Sequence, residues 1–198
     1  MVKYFHFHNL VTGINFDEKL KSDQCTRTLN GVRCKKRCQI GLGICWIHLL
    51  NEHHLRIKTS NLPNAGMGLF AIDKSKGDRE IIFRPGQSVC LYNGEVLDIY
   101  EHHARYGAES APYTAQLNKK DDEQMYEDAS IHRGVGALIN HSNKIDNCRM
   151  KIKRNNVIEI VAKKNIMNDS EILLNYGRQY KFNSKNTRTA TNYKRLSI

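Results

Sequence analysis

The sequence predicts a mainly β protein of short-stranded sheets, with one or two short helices and a small Cys/His-rich module at its N-terminus. Short β-rich segments alternate with Gly, Pro and Asn turns, one stretch carries helix-capping residues, and four of the six cysteines fall between positions 25 and 45. A length of 198 residues fits one main domain with a small extra module. We therefore divide the chain into residues 1–53 with the Cys/His motif, a main domain at 54–182, and a polar, basic tail at 183–198.

The predicted strands are short, and turn residues bound most of them. Alternation at Leu55 and Ile57 opens a strand, and a Pro/Asn/Gly turn then leads to a second strand. Further strands are predicted at residues 80–83 and 88–92, and a hairpin pairs residues 150–153 with 157–162.

Residues 98–106 are the best helix candidate. Asp98 can cap the N-terminal end, Glu101 can reinforce that cap, and Gly107 can end the helix. These signals predict one short helix inside a β-rich domain.

The charge balance favours polyanionic partners. The chain has 31 Lys and Arg against 20 Asp and Glu, a formal net charge of +11, which suits nucleic acid, chromatin or an acidic membrane surface. No apolar run approaches the roughly 20 residues of a membrane span, and the N-terminus lacks the apolar stretch of a secretory signal. We therefore expect an intracellular protein, not secreted and not in a membrane, whose cysteines are thiols or metal ligands.

The spacing of Cys25, Cys34, Cys38, Cys45 and His48 predicts a structural zinc site. Zinc takes four tetrahedral ligands from thiolates and imidazoles, and a Cys-x2-His pair facing an earlier cysteine pair can supply them. Ordinary buried thiols are the alternative. The stretch also resembles a small zinc-binding motif of viral and phage proteins; by that resemblance the ligands are Cys25, Cys34, Cys45 and His48, and Cys38 is spare. From spacing alone, the choice between Cys34 and Cys38 stays open.

Four segments of the main domain carry recognisable sequence motifs. They are NAGMGLFA (residues 64–71), LYNGEVL (91–97), ALINHS with a following Asn-Cys pair (137–142 and 147–148), and EILLNYGRQY (171–180). In this order they resemble the motifs of SET-domain protein-lysine methyltransferases, and the compact size and YGxxY ending are most similar to small viral members. The resemblance implies a SET fold with a C-terminal pseudoknot, in which one strand threads beneath a loop, and S-adenosylmethionine as cofactor.

The resemblance also implies which residues bind the cofactor: Gly66, Met67, Gly68, Asn140, His141 and Tyr176. Glycines at 66 and 68 lack a Cβ, so backbone can approach a bulky ligand closely. Asn140 offers both a donor and an acceptor to the amino-acid end of the cofactor. Glu171 is expected to brace the knot by pairing with His141 or nearby backbone.

Tyr176 is the expected catalytic residue, and Tyr113 stands where small viral members carry a second active-site tyrosine. A tyrosine hydroxyl, with a pKa of about 10, stays neutral at working pH and can orient an amine. By resemblance, the lysine channel is lined by Tyr180, Leu174, Met150 and Phe182. Family members limited to one methyl group can carry a channel tyrosine at the positions of Leu174 or Met150. Neither side chain here has a hydroxyl, so we expect methylation beyond the first step.

The expected substrate is a histone or another protein with a basic tail. An acidic run can hold such a tail, and it comprises Asp121, Asp122, Glu123, Glu127 and Asp128, although such runs are more often solvated loops. The basic surface, including residues 35–37 and 151–154 and the tail, is then expected to contact DNA or chromatin.

Two other functions remain open from the sequence. One is a nucleic-acid-binding zinc protein with an inactive SET fold. The other is a nuclease using His53, His54 and Asn140 at a metal. The expected location is the nucleus, or a virion and the nucleus of its host cell. The sequence leaves open whether the protein forms a homodimer.

Overall fold

The computed structural model describes residues 2–8, 15–38, 42–107, 111, 113–118 and 123–177. The first two strands, β1 (Val2–His8) and β2 (Asn15–Lys21), pair antiparallel, and the sequence patterns did not predict them. Two very short strands follow, β3 (Thr28–Leu29) and β4 (Val32–Arg33). Their turn residues Asn30 and Gly31 have φ of 49° and 78°, the left-handed conformation that an Asn-Gly hairpin turn requires.

The elements up to the middle of the chain include the predicted strands and the predicted helix, together with one helix and one strand, at residues 46–53 and 95–98, that the sequence patterns did not predict. They are α1 (Trp46–His53), β5 (Leu55–Thr59), β6 (Met67–Ala71), β7 (Ile81–Phe83), β8 (Ser88–Tyr92), β9 (Glu95–Asp98) and α2 (Ile99–Tyr106). The predicted cap of α2 is present, because Asp98 and Glu101 bond each other's backbone N–H groups in a capping box. Helix α1 was not predicted; it begins after Cys45 and ends at His54, whose φ is 53°.

The second half of the domain is almost entirely β. It contains β10 (Thr114–Gln116), β11 (Met125–Asp128), a 3-10 helix (Val135–Leu138), β12 (Asn140–His141), β13 (Cys148–Ile152), β14 (Ile158–Ala162), β15 (Ile166–Met167), β16 (Ser170–Glu171) and β17 (Leu173–Leu174). Strands β13 and β14 form the predicted hairpin, with Asn156 in the left-handed region.

Small sheets arrange these strands around one core. A five-stranded sheet has the order β12-β17-β13-β14-β8, and three-stranded sheets have the orders β16-β6-β5 and β10-β11-β9. The core includes Leu55, Leu69, Ile139, Ile160 and Leu174, all nearly inaccessible to solvent. No helix in the described ranges is long and apolar enough to cross a membrane.

The end of the domain is threaded through an earlier loop. Strand β17 pairs in parallel with both β12 and β13, which are consecutive in the chain, so it lies between them. The connecting loop closes over it: the Ser142 N–H donates to the Leu174 carbonyl, and Asn147 exchanges hydrogen bonds with the backbone of Glu171 and Leu173. This is the predicted C-terminal pseudoknot.

Candidate active site and Cys/His cluster

Tyr176 leaves the threaded strand and is fixed at two points by the segment it passes. Its backbone N–H donates to His141 Nδ1 (3.0 Å), and its hydroxyl donates to the Ile139 carbonyl (2.5 Å). The rings of Tyr176 and His141 lie 5.1 Å apart. A ring nitrogen that accepts a hydrogen bond must be unprotonated, and burial lowers the pKa of His141 in that direction. The pseudoknot therefore sets both the position and the orientation of Tyr176.

Glu171 and Asn140 form a brace beside Tyr176. The Glu171 carboxylate accepts from Ser60 Oγ (2.7 Å), the Asn61 N–H (2.7 Å) and Asn140 Nδ2 (3.0 Å). Asn140 Nδ2 also donates to the Met67 carbonyl (3.0 Å). Of the two expected partners, nearby backbone is present as the Asn61 N–H, whereas His141 is not a partner of Glu171 among the described residues; Ser60 and Asn140 complete the set.

These bonds change what Asn140 can offer a ligand. Its amide group uses its hydrogens within the protein, on Met67 and Glu171. The side-chain oxygen is the group left to bind a ligand, and it accepts hydrogen bonds only. The arrangement suits a ligand ammonium group rather than a carboxylate.

Gly66 and Gly68 lie next to this brace, and each has its own local reason to be glycine. Gly66 has a φ of 70°, and its carbonyl accepts from the Ser60 N–H (2.6 Å). At Gly68 a Cβ would collide with Glu171 Oε1 and Asn140 Nδ2. Gly68 thus makes room for the side chains of Glu171 and Asn140. The missing Cβ was expected to admit a cofactor, but among the described residues it admits these two side chains.

Tyr113 lies in a cluster with Tyr92 and Arg133. The Tyr92 hydroxyl donates to the Tyr113 carbonyl (2.6 Å), and the guanidinium of Arg133 lies 5.0 Å from the centre of the Tyr113 ring. Burial raises the pKa of Tyr92 well above its usual value, the nearby Tyr176 and Tyr113 add to that effect, and the Arg133 charge opposes it. Tyr113 and Tyr176 both pack against the buried core to which Tyr92 belongs.

Sequence reasoning missed Tyr92 and Arg133. Tyr92 belongs to the LYNGEVL segment, so its place in a motif was an available signal. Arg133 carried none, because only the folded chain shows that this nearly buried cation lies over an aromatic ring.

The proposed channel residues are described in part. Leu174 is only 1% exposed and belongs to the core, and Met150 is partly buried against the same core. Tyr180 and Phe182 lie outside the described residues, so their channel roles stay predictions.

The acidic run does not act as one exposed surface. Glu127 and Asp128 are buried: Glu127 accepts from the Gly94 N–H (2.8 Å), and Asp128 accepts from the Tyr106 hydroxyl (2.5 Å) and from Arg105. The expectation that these two carboxylates hold a basic peptide is wrong, because they stabilise the interior. Glu123 is exposed, whereas residues 121 and 122 lie outside the described part of the chain.

The N-terminal module gathers Cys25, Cys34, Cys45 and His48. One ligand atom from each lies within 4.8 Å of the other three. His48 Nδ1 is 3.2 Å from Cys45 Sγ and 3.5 Å from Cys25 Sγ. Tetrahedral zinc holds such atoms roughly 3.5 Å apart, so the four predicted ligands have a geometry that fits the ion.

The surroundings of these sulfurs also fit a metal. Burial would raise the pKa of the Cys25 thiol, but the N–H groups of Arg27 and Cys45 and the His48 side chain lower it to about 6. Burial, followed by the charges of Cys25 and Cys45, raises the pKa of Cys38 to about 12. Burial also raises the pKa of Cys45, so of Cys25, Cys38 and Cys45 only Cys25 is shifted towards the thiolate that zinc needs.

Together, the short sheets, the threaded strand and the tyrosine fixed at its exit define a pseudoknotted β domain. Residues 66–177 of the 198-residue chain match the SET domain family model. The chain belongs to the SET-domain family.

Comparison with solved structures gives matches in polycomb repressive complex 2. One, titled "ctPRC2 in an autoinhibited conformation bound to S-adenosylmethionine", is 25% identical with a TM-score of 0.50 over 71% of this chain and 17% of that chain. Another, an active polycomb repressive complex 2 in the stimulated state, is 25% identical with a TM-score of 0.51 over 66% and 16%. A Chaetomium thermophilum complex, 24% identical with a TM-score of 0.51 over 66% and 16%, agrees in fold.

The similarity covers only 16–17% of the length of those chains. No match was found among curated protein sequences.

Proposed function

We propose that this chain is a protein-lysine N-methyltransferase that uses S-adenosylmethionine and acts on a histone or another protein with a basic tail. The observation that carries the proposal is the double fixation of Tyr176 by Ile139 and His141, beside Asn140, at the knot of a SET domain. A matched structure bound to S-adenosylmethionine supports the cofactor.

The residues near the brace suit this cofactor. When bound, S-adenosylmethionine supplies a methyl group carried on a cationic sulfonium sulfur. Asn140 offers its side-chain oxygen to the cofactor's ammonium group, and the backbone of Gly66, Met67, Gly68 and His141 forms the rest of the binding surface. Because the brace already orders Asn140 and Met67, little side-chain entropy remains to be lost on binding.

The two tyrosines act on the lysine. A lysine amine has a free pKa of about 10.4 and must lose a proton before it attacks. An apolar site beside a positive charge lowers that pKa. Tyr176 orients the neutral amine for in-line attack, and Tyr113 contributes a second wall to the site.

We propose that methylation continues past the first methyl group. Leu174 and Met150 carry no hydroxyl that could anchor a blocking water in the channel. A methylated amine can then rotate and lose its next proton, which leads to dimethyl- or trimethyl-lysine.

The remaining parts of the chain have supporting roles in this proposal. Residues 1–53 hold a structural zinc, residues 54–182 catalyse, and residues 183–198 form a basic tail. The basic surface contacts DNA or chromatin. The viral and nuclear settings and the homodimer stay predictions from the sequence.

Mass spectrometry of core histones, after incubation with the protein and isotope-labelled S-adenosylmethionine, tests the proposal. We expect labelled methyl groups on lysine, and none when histones are replaced by a lysine-free basic peptide. A folded, zinc-loaded protein that transfers no label to any core histone would instead support the inactive SET fold.

A further inference from the structure

The hairpin of the Cys/His module, residues 28–33, presents an apolar pair to solvent. Leu29 and Val32 are direct cross-strand partners, so both point to the same face. Their exposed fractions are 75% and 65%. Apolar side chains this exposed are common singly, but here two lie side by side at a hairpin turn in a stretch, residues 26–33, that is exposed throughout.

The base of this hairpin is anchored. The Cys34 N–H donates to the Arg27 carbonyl (2.7 Å), and Gln24 Nε2 donates to the Cys34 carbonyl (2.9 Å). Cys25 and Cys34, on either side of the hairpin, belong to the Cys/His cluster. The apolar pair therefore lies on a short hairpin whose base is fixed by hydrogen bonds to the rest of the module.

Four cations lie beside this support: Arg33, Lys35, Lys36 and Arg37. Arg33 donates to the carbonyls of Cys25 (2.9 Å) and Gln24 (2.8 Å), and Arg37 donates to the Ser22 carbonyl (2.7 Å). Carbonyl partners orient a guanidinium group without neutralising its charge. All four cations are exposed, and among the described residues none of them forms an ion pair.

A neighbouring arginine shows the contrast. Arg27 pairs with Glu52 at 2.7 Å, so its charge is compensated within the protein. The net positive charge of the module is thus concentrated at positions 33–37, next to the apolar pair.

We infer that this hairpin and residues 33–37 form a binding element for duplex DNA, with the cations on phosphates and Leu29 and Val32 as an apolar wedge in the minor groove. Proteins that bind the minor groove combine basic side chains with apolar side chains inserted between base steps. A protein partner with an acidic surface would match the charge but would not explain why the charges flank a narrow projecting tip. The inference deepens the proposed DNA contact and does not depend on methyl transfer.

Fluorescence anisotropy with a short labelled duplex, rich in A·T pairs at its centre, tests both parts of the element. Each phosphate-bound lysine contributes about 0.9 to the slope of log affinity against log salt, so Lys35→Ala with Lys36→Ala should flatten that slope by about 1.8 and weaken binding about tenfold or more at low salt. Leu29→Ser with Val32→Ser should weaken binding roughly fivefold while leaving the slope unchanged, because no phosphate contact is lost.

Two control variants keep the result specific. Lys74→Ala with Arg79→Ala removes two exposed cations outside the basic surface defined above, and Val96→Ser removes an exposed apolar side chain on β9. Both controls should bind the duplex like the wild type. Equal losses in the controls, no binding to the duplex, or binding only to polyglutamate would overturn the inference. Zinc content and methyl transfer to a free peptide, measured on the same samples, separate this outcome from misfolding and from failure of the proposed enzyme.

Discussion

Gly68 shows how one missing side chain lets the candidate site form. Strand β6 passes so close to Glu171 and Asn140 that any Cβ at position 68 must displace one of them. The motif glycine was recognisable in the sequence, but its reason was not, because Glu171 lies more than a hundred positions away. The structure assigns it to the brace that positions Asn140.

Gly68→Ala should therefore destabilise the domain and weaken cofactor binding together. Overpacking of a filled site costs typically about 1–3 kcal/mol, and displacing Glu171 would also break its hydrogen bonds with Ser60, Asn61 and Asn140. Denaturant unfolding and calorimetry measure the two effects. Gly77→Ala is the matched control, since a Cβ there meets only Glu80 Oε2 at 3.7 Å. An alanine at position 68 that leaves both stability and cofactor affinity at the wild-type level would refute the role of the brace.

Leu174 is the residue at which the number of methyl groups can be tested. We expect Leu174→Tyr to shift products towards monomethyl-lysine, because its hydroxyl can hold a water in the channel. Leu174→Phe adds the ring without the hydroxyl, and it controls for the crowding expected at a residue that is 1% exposed. A time course on a single-lysine peptide reports the products by mass. If the wild type stalls at the monomethyl product with cofactor in excess, the multiple-methylation proposal is wrong.

In the Cys/His module, the structure favours one of the two candidate sets of zinc ligands. Spacing alone left Cys34 and Cys38 as alternatives, because both lie between Cys25 and Cys45. In the folded module Cys34 joins the four-ligand cluster, and Cys38 packs beside it. That choice depends on the hairpin turn at Asn30 and Gly31, which reverses the chain between Cys25 and Cys34.

A matched pair of variants checks this ligand set. Cys34→Ser should reduce bound zinc well below one ion per chain and unfold the module, since a structural zinc contributes much of the folding energy of so small a unit. Cys38→Ser should keep the zinc. Elemental analysis of purified protein whose SET domain remains folded gives the answer, and zinc lost from the Cys38 variant but retained in the Cys34 variant would exchange the two assignments.

Strands and the capped helix were easier to predict than the first helix. Asp98 and Glu101 form a local capping signal, and apolar, β-rich runs next to Gly and Asn turn residues specify strands such as β8 and β14. Helix α1 has no capping side chain. It is instead held by tertiary contacts, because Leu49 is buried in the main core and Ile44 packs against both the core and the cysteines. A helix stabilised mainly by such tertiary contacts has only a weak signal in its local sequence, so it is difficult to predict.

At the scale of the whole molecule, α1 joins the Cys/His module to the SET domain. The helix begins directly after Cys45 of the Cys/His cluster and buries Leu49 in the main core, so the two units share a boundary rather than a linker. The pseudoknot at the other end of the chain was predictable only by family resemblance. Its order β12-β17-β13 joins segments far apart in sequence, which no local pattern specifies.

The central claim is that the pseudoknot positions Tyr176 for methyl transfer, and the most direct test is the comparison of kcat with cofactor Kd in Tyr176→Phe. The hydroxyl acts in the transition state, so kcat should fall by orders of magnitude while the Kd for S-adenosylmethionine stays near the wild-type value. Tyr100→Phe, at a tyrosine that is 72% exposed, should change neither quantity. Full turnover in Tyr176→Phe, or a cofactor affinity that collapses together with kcat, would contradict the account.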